Sequence, residues 1–365
     1  MRERLKAQIE TLMMAPGLAG HEGPVRRLIR SELEKLGIPS TTDRLGNLVA
    51  TLDGEKARPS VMVIGHMDQL GFLVRKIEAS GLIRVERLGG VPERALAAQE
   101  VALVAPDGRL FPAIIGNKSH HATTPEEKYR VVPYPEIFVD GGFGSAAEVE
   151  AAGIAVGAPV IYAPRFVALA NGRIAGTSID DRVACAIMLE LARALGDEKK
   201  RPTVHLVFSV QEEFNLRGAL PAAQTLQPDI CVQLDLALAT DTPDMAARGD
   251  VILGGGPVMG LYSFHGRGTL NGLLPHPALV RLFEKAAGAA KIPLQRSVHI
   301  GALTETSYVQ LVGKGVACID MGFPARYTHS AREVCDLSDV EALSRLMATA
   351  IGSIGTDFTL ERNDD

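Results

Sequence analysis

Five short stretches carry side chains able to bind cations or move protons. In Gly65-His-Met-Asp-Gln-Leu-Gly71, His66 and Asp68 lie two apart, so an extended backbone would turn both the same way. A carboxylate at that spacing can accept from one imidazole nitrogen and leave the other free for a metal. In Thr177-Ser-Ile-Asp-Asp-Arg182, Asp180 and Asp181 open a helical stretch, and adjacent carboxylates repel unless a cation or a helix N-terminus offsets them. Capping by Ser178 or Asp180 is the competing explanation. An apolar run ends in Glu212 and Glu213, and ionised carboxylates closing a buried strand are costly unless paired or metal-bound. Asp235 lies inside a further apolar run, whereas Asp241 and Asp244, beside Pro243, read as turn residues. His329 follows a strand and a turn expected at Pro324.

Together, His66, Asp180, Glu213, Asp235 and His329 supply two imidazoles and three carboxylates. Nitrogen and oxygen donors without thiolate suit zinc, cobalt or manganese. Five ligands are too many for one catalytic zinc with an open position, and suit two metals roughly 3.5–4 Å apart that share a carboxylate.

Such residues must be held at strand ends, and the hydropathy pattern supplies the strands. Residues 21–36 and 183–195, and later 277–290 and 340–354, have helical spacing. Residues 47–52, 60–66, 203–210, 230–236 and 316–321 read as strands. The alternation predicts an α/β fold, a mostly parallel sheet flanked by helices, with sites beyond the carboxyl ends of the strands. Residues 71–170 break the rhythm with short β-rich pieces and one helical stretch near 145–152. They read as a small inserted β-rich domain, leaving 1–70 and 171–365 as the catalytic domain.

Composition narrows the function. Of the 365 residues, 46% are hydrophobic and 22% charged, as in a globular protein with a filled core. A net charge of -5 without basic clusters disfavours nucleic acid as a partner. Aromatics at 5% and no Trp leave few stacking platforms for nucleic acid or sugar chains. No apolar run approaches the roughly 18 residues of a membrane helix. The first residues have helical spacing rather than the continuous apolar core of an export signal. Cys185, Cys231, Cys318 and Cys335 form no CxxC pair and read as reduced thiols, which points to the cytoplasm. The glycine-rich Gly254–Gly260 lacks the strand and helix that a dinucleotide loop requires.

The order and spacing of GHMDQLGF, SIDDR, VQEEFNLRGA, the Asp235 strand with its DTP, and RYTHS resemble the tetrahedral, glutamyl-aminopeptidase-type dinuclear metallopeptidases, some of whose members carry endoglucanase labels. The resemblance covers almost the whole chain and implies a zinc-peptidase-like fold. It implies that His66 and Asp235 hold one metal, Glu213 and His329 the other, and that Asp180 bridges them across a cis Asp180–Asp181 peptide. Glu212 would be the general base and Asp68 would orient His66. The implied cofactors are two divalent ions per subunit, zinc or cobalt first and manganese second. The implied substrates are short peptides or aminoacyl compounds. The insertion would be a dimerisation domain in a homo-oligomer, a dodecamer built from dimers.

The chain departs from the family pattern at Gln69, at Phe214-Asn215, and at Ala302-Leu-Thr-Glu-Thr306, where Leu303 replaces a glycine. These changes bear on substrate preference more than on catalysis. His121 matches a histidine of the family's inserted domain and has either a turn-stabilising role or a reach into a neighbouring site. Arg326 and Tyr327 flank His329 and read as packing residues, with substrate contact as the alternative, and His205 as a core or rim histidine. Other readings are an amide deacylase for a modified amino acid or amino sugar, a glycoside hydrolase using Glu212 with another carboxylate, and a non-catalytic assembly protein. The glycosidase reading leaves His66, Asp235 and His329 without work.

Overall fold

The computed structural model describes residues 1–196, 200–265 and 272–362. Its frame is a sheet of twelve strands. The four central strands, Val204–Ser209, Val61–His66, Ile230–Leu238 and Ala317–Arg326, run parallel to one another. Each is almost continuously apolar, the pattern of a strand covered on both faces. Successive side chains divide between the two coverings. Val61 and Val63 join the larger core with Phe208, Ile319 and the helices Ile179–Leu195 and Leu337–Gly352. Met62 and Ile64 face Ala219, Ala223 and Val309 on the other side.

Beyond this centre the order is mixed: Val258–Phe264 pairs antiparallel with Ala317–Arg326 and parallel with Gln295–Ile300. Leu48–Leu52 pairs antiparallel to Val204–Ser209 on one flank. On the other, Glu333–Asp336, Arg173–Gly176 and Phe166–Ala168 follow in antiparallel order. The sheet is therefore mixed. Hydropathy marks burial on two faces but not chain direction, so the flanks could not be oriented from the residues alone.

Residues Gly71–Tyr162 form the inserted unit, a closed barrel of the strands Gly71–Ile77, Ile83–Leu88, Phe138–Asp140, Leu110–Ile115, Glu100–Val104 and Pro159–Tyr162. Closure leaves no open edge and gives this unit a core of its own, including Phe72, Val85, Leu103, Val139 and Val160. The helical stretch is Ala146–Ala151, where Ser145 accepts from the Glu148 amide as N-cap. Phe166–Ala168, within the range read as the insertion, pairs with Arg173–Gly176 as the outer strand of the large sheet. Pro324 departs from expectation. It lies inside a ten-residue strand opposite Ala237 rather than in a turn, and the chain bends only after Arg326.

Fully buried Arg182 ties the N-terminal segment to the site. Its guanidinium donates to the carbonyls of Leu12, Ala15 and Gly17 and to Gln69 Oε1. All four cysteines are free and buried. No helix among the described residues is long and apolar enough to cross a membrane.

Candidate active site

The site forms where the central strands end. His66 closes its strand, and its ring is fixed from behind: Nδ1 lies 3.1 Å from the backbone carbonyl of Asp68 and carries the hydrogen donated to it. Nε2 is thereby turned to Asp180 Oδ1, also at 3.1 Å. His329 repeats the arrangement from a loop residue in the left-handed region, φ 65°. Its Nδ1 donates to the Gly90 carbonyl at 3.1 Å, and its Nε2 faces Asp180 Oδ2 at 3.5 Å. The two oxygens of one aspartate thus face two imidazoles, each presenting the nitrogen not used for its backbone bond.

Among the described residues, three groups each bring potential ligand atoms within 4.8 Å of one another: His66, Asp180 and Asp235; Asp180, Glu213 and His329; and His66, Glu212 and Glu213. The structure brings together all five residues expected as ligands, together with Glu212, and Asp180 belongs to the first two groups.

Asp68 does more than expected. Its carboxylate is 3.5 Å from His66 Nδ1, so the shorter bond to the ring comes from its own backbone carbonyl. Its two carboxylate oxygens accept instead from the amides of Glu212 and Glu213, at 3.0 Å each. This explains how two adjacent glutamates reach one site. The strand ends at Ser209, Gln211 turns into the left-handed region at φ 55°, and a buried carboxylate holds the next two amides. Glu22 supports the same turn by accepting from the Gln211 amide.

Capping does not account for the aspartate pair. Ser178 stands at the N-cap, left-handed at φ 61°, but makes no side-chain cap bond. The Asp180–Asp181 peptide is cis. Asp181 turns inward and accepts from the His66 amide at 3.2 Å, so one aspartate faces the site and the other supports it.

Burial raises the Glu212 carboxyl well above its usual range, and the charges of Glu213, Asp235 and Glu305 add to this while His66 opposes it. Burial likewise raises Glu213 and Asp235, with Asp180 as the main charged neighbour of each. For Asp180, burial is outweighed by the His66 hydrogen bond and by the charges of His66 and His329, which hold its carboxyl low. Burial depresses His66, but bonds to Asp180 and Asp68 and the charge of Glu212 bring it well above normal. Negative groups outnumber the positive ones able to balance them, and Glu213 Oε1 is buried with no hydrogen-bond partner. Crowded oxygen and nitrogen donors of this kind fit a divalent cation.

A cleft of about 910 Å³ opens from these residues, with Tyr262, Arg248, His299 and Leu303 on its walls. Arg326 is committed elsewhere, in a bidentate pair with Asp241 at 2.7 Å on both arms. Tyr327 is exposed. His205 meets Thr51 Oγ1, and His121 sits on an exposed barrel turn beside His120.

Besides Glu22, three contributors were not singled out from the residues. Buried Glu333 accepts from the amides of both Asp180 and His329. Buried Glu305 accepts from Ser209 Oγ and the Ala219 amide, bracing the segment that carries Glu212 and Glu213. Gly90 contributes only a carbonyl. A Cβ there would lie 2.8 Å from His329 Nδ1, so the close approach needs glycine. The adjacent Gly89-Gly90 in a β-rich segment was the available signal for a close backbone approach.

A carboxylate-and-imidazole centre at the carboxyl ends of parallel strands, touched by the Gly90 carbonyl of an inserted barrel, is an α/β arrangement suited to hydrolysis. The chain belongs to the M42 glutamyl aminopeptidase family, whose profile matches residues 46–346. SgcX of Escherichia coli (strain K12) is 35% identical over 353 residues, covering 96% of this chain and 94% of that protein. Among solved structures, the aminopeptidase APDkam598 from the archaeon Desulfurococcus kamchatkensis superposes with a TM-score of 0.90 at 32% identity, over 98% of this chain and 97% of the other. The TET1 peptidase of Pyrococcus horikoshii, which can assemble into a tetrahedron or a large octahedral shell, superposes with a TM-score of 0.85 at 25% identity, over 96% and 99%.

Proposed function

We propose that the protein is a metal-dependent aminopeptidase that removes N-terminal residues from short peptides. The observation that carries this reading is Asp180, whose two oxygens face the free nitrogens of two separately anchored imidazoles. His66 and Asp235 would hold one divalent ion, Glu213 and His329 a second, and Asp180 both. Zinc or cobalt suits these donors first, and manganese second. When bound, such ions lower the pKa of water and polarise the scissile carbonyl.

The chain supplies the rest. Glu212 is the one carboxylate of the cluster not needed as a ligand, and Asp68 fixes its backbone. Its raised affinity for a proton suits a base that takes one from the attacking water at a carboxylate oxygen and delivers it to the departing amine nitrogen. The Asp68 and Gly90 carbonyls keep the two rings in place. The cleft wall, with Leu303 where the family has glycine, selects among side chains.

The tetrahedral or octahedral assembly of TET1 and the dodecamer of PhTET1-12s support a homo-oligomer here, which we take as a dodecamer of dimers joined through the barrel. Four unpaired buried cysteines suit a cytoplasmic location. The test is release of p-nitroaniline from an aminoacyl-p-nitroanilide panel. Activity should vanish with chelator and return with zinc, cobalt or manganese. Activity indifferent to chelator, or confined to acylated amino acids, would contradict the proposal.

A further inference from the structure

Glu333 occupies a junction of the site that the proposed ligand set leaves out. It begins the short strand Glu333–Asp336, which pairs on one side with Arg173–Gly176, Glu333 standing opposite Gly176. On the other side the strand pairs with the end of Ala317–Arg326. Two chain segments therefore leave the sheet beside Glu333. One runs from Gly176 through Ser178 to Asp180, and the other is the loop after Arg326 that carries His329. The side chain, only 2% exposed, reaches both. Oε2 accepts from the Asp180 amide at 3.0 Å, and Oε1 accepts from the His329 amide at 2.8 Å.

We infer that Glu333 is a positioning residue for the cation shared by Asp180, Glu213 and His329: one carboxylate fixes the backbones of two of its three ligands. The inference rests on the two-cation reading above. The Glu333 carboxyl group accepts at both oxygens, whereas a glutamine amide offers one acceptor and sets its NH₂ against the second N–H. Asp68 plays the corresponding part at the amides of Glu212 and Glu213. Glu333 touches neither His66 nor Asp235 through any described hydrogen bond, so its removal affects one ion more than the other. His329 is the more sensitive ligand, because its loop residue sits in the left-handed region, where the backbone needs support.

The experiment is a cobalt titration of metal-stripped full-length protein, read by metal content after dialysis and by the cobalt ligand-field absorption. The parent should take up two ions per chain. Glu333→Gln should weaken the ion at Glu213 and His329 about 10- to 100-fold and the other, which shares only Asp180 with it, clearly less, with a changed absorption band. Asp339→Asn removes another buried carboxylate that accepts from two amides, those of Gly254 and Gly256, and should leave both ions unchanged. If Glu333→Gln does not fold, Glu333→Asp keeps the charge on a shorter arm and should weaken the second ion about tenfold. Two parental-affinity ions in folded Glu333→Gln, or in Glu333→Asp where it replaces it, overturn the inference and leave the two-cation reading standing. A parent that takes up no ion overturns both.

Discussion

The sheet domain and the barrel meet at the site but give it different things. Every carboxylate and imidazole of the cluster comes from the sheet domain: His66, Asp180, Glu212, Glu213, Asp235 and His329. From the barrel comes the Gly90 carbonyl, at the distance that orients His329. Each unit has its own apolar core, and buried Ala331, two residues beyond His329, packs into that of the barrel. The chemistry is therefore concentrated at strand ends whose positions are fixed by the central parallel ladder. The inserted unit influences it through a backbone contact and through packing of the His329 loop.

That division predicts effects of different size. Glu212→Gln should keep both ions, since its side chain is the one the ligand sets can spare, yet lose roughly 10²–10⁴-fold in kcat. Full turnover in that variant, measured on an aminoacyl-p-nitroanilide, would place the base elsewhere. His329→Ala should lower metal content from two ions per chain to one; retention of two would remove His329 as a ligand. Gly90→Ala lies in the barrel and carries no reactive group, but its Cβ would press on the His329 ring. We expect a fall of about 10-fold in kcat/KM, with little change in the unfolding midpoint. Unchanged activity would confine the barrel to assembly.

The smallest effect concerns stability with pH. Burial pushes the Asp339 carboxyl up to about 6 although the Gly254 and Gly256 amides act to lower it. Between its ordinary range near 4 and about 6, the folded chain holds a proton that the unfolded chain has released. Asp339 therefore makes stability decline as pH rises through that window. Urea unfolding of the parent across pH 4–6 should show a decline to which Asp339 contributes, and Asp339→Asn should make it shallower. Equal slopes in both proteins would contradict the assignment.

Much of this was legible in the residues because carboxylates and imidazoles at the ends of apolar runs are energetically conspicuous. His66, Glu213 and Asp235 each sit at or beside a strand whose neighbours are buried, and the α/β alternation says which ends converge. The inserted unit was visible as a change of period. Less was readable where the signal is short or belongs to the backbone. Glu333 opens a four-residue strand and looks like any acidic loop residue until its two donors are seen. Phe166–Ala168 is three residues long and could have belonged to either unit. The Gly90 carbonyl has no side-chain signature at all. Asp68 was found for its bearing on His66, but its carboxylate bonds depend on how the chain folds after Ser209, which no local spacing specifies.

The central claim is that one aspartate, Asp180, joins two cation sites. Anomalous diffraction from crystals grown with zinc tests it most directly. The account predicts two peaks roughly 3.5–4 Å apart, one on each side of the Asp180 carboxylate, the first beside His66 and Asp235 and the second beside Glu213 and His329. A single peak, or two peaks that do not share Asp180, would contradict it.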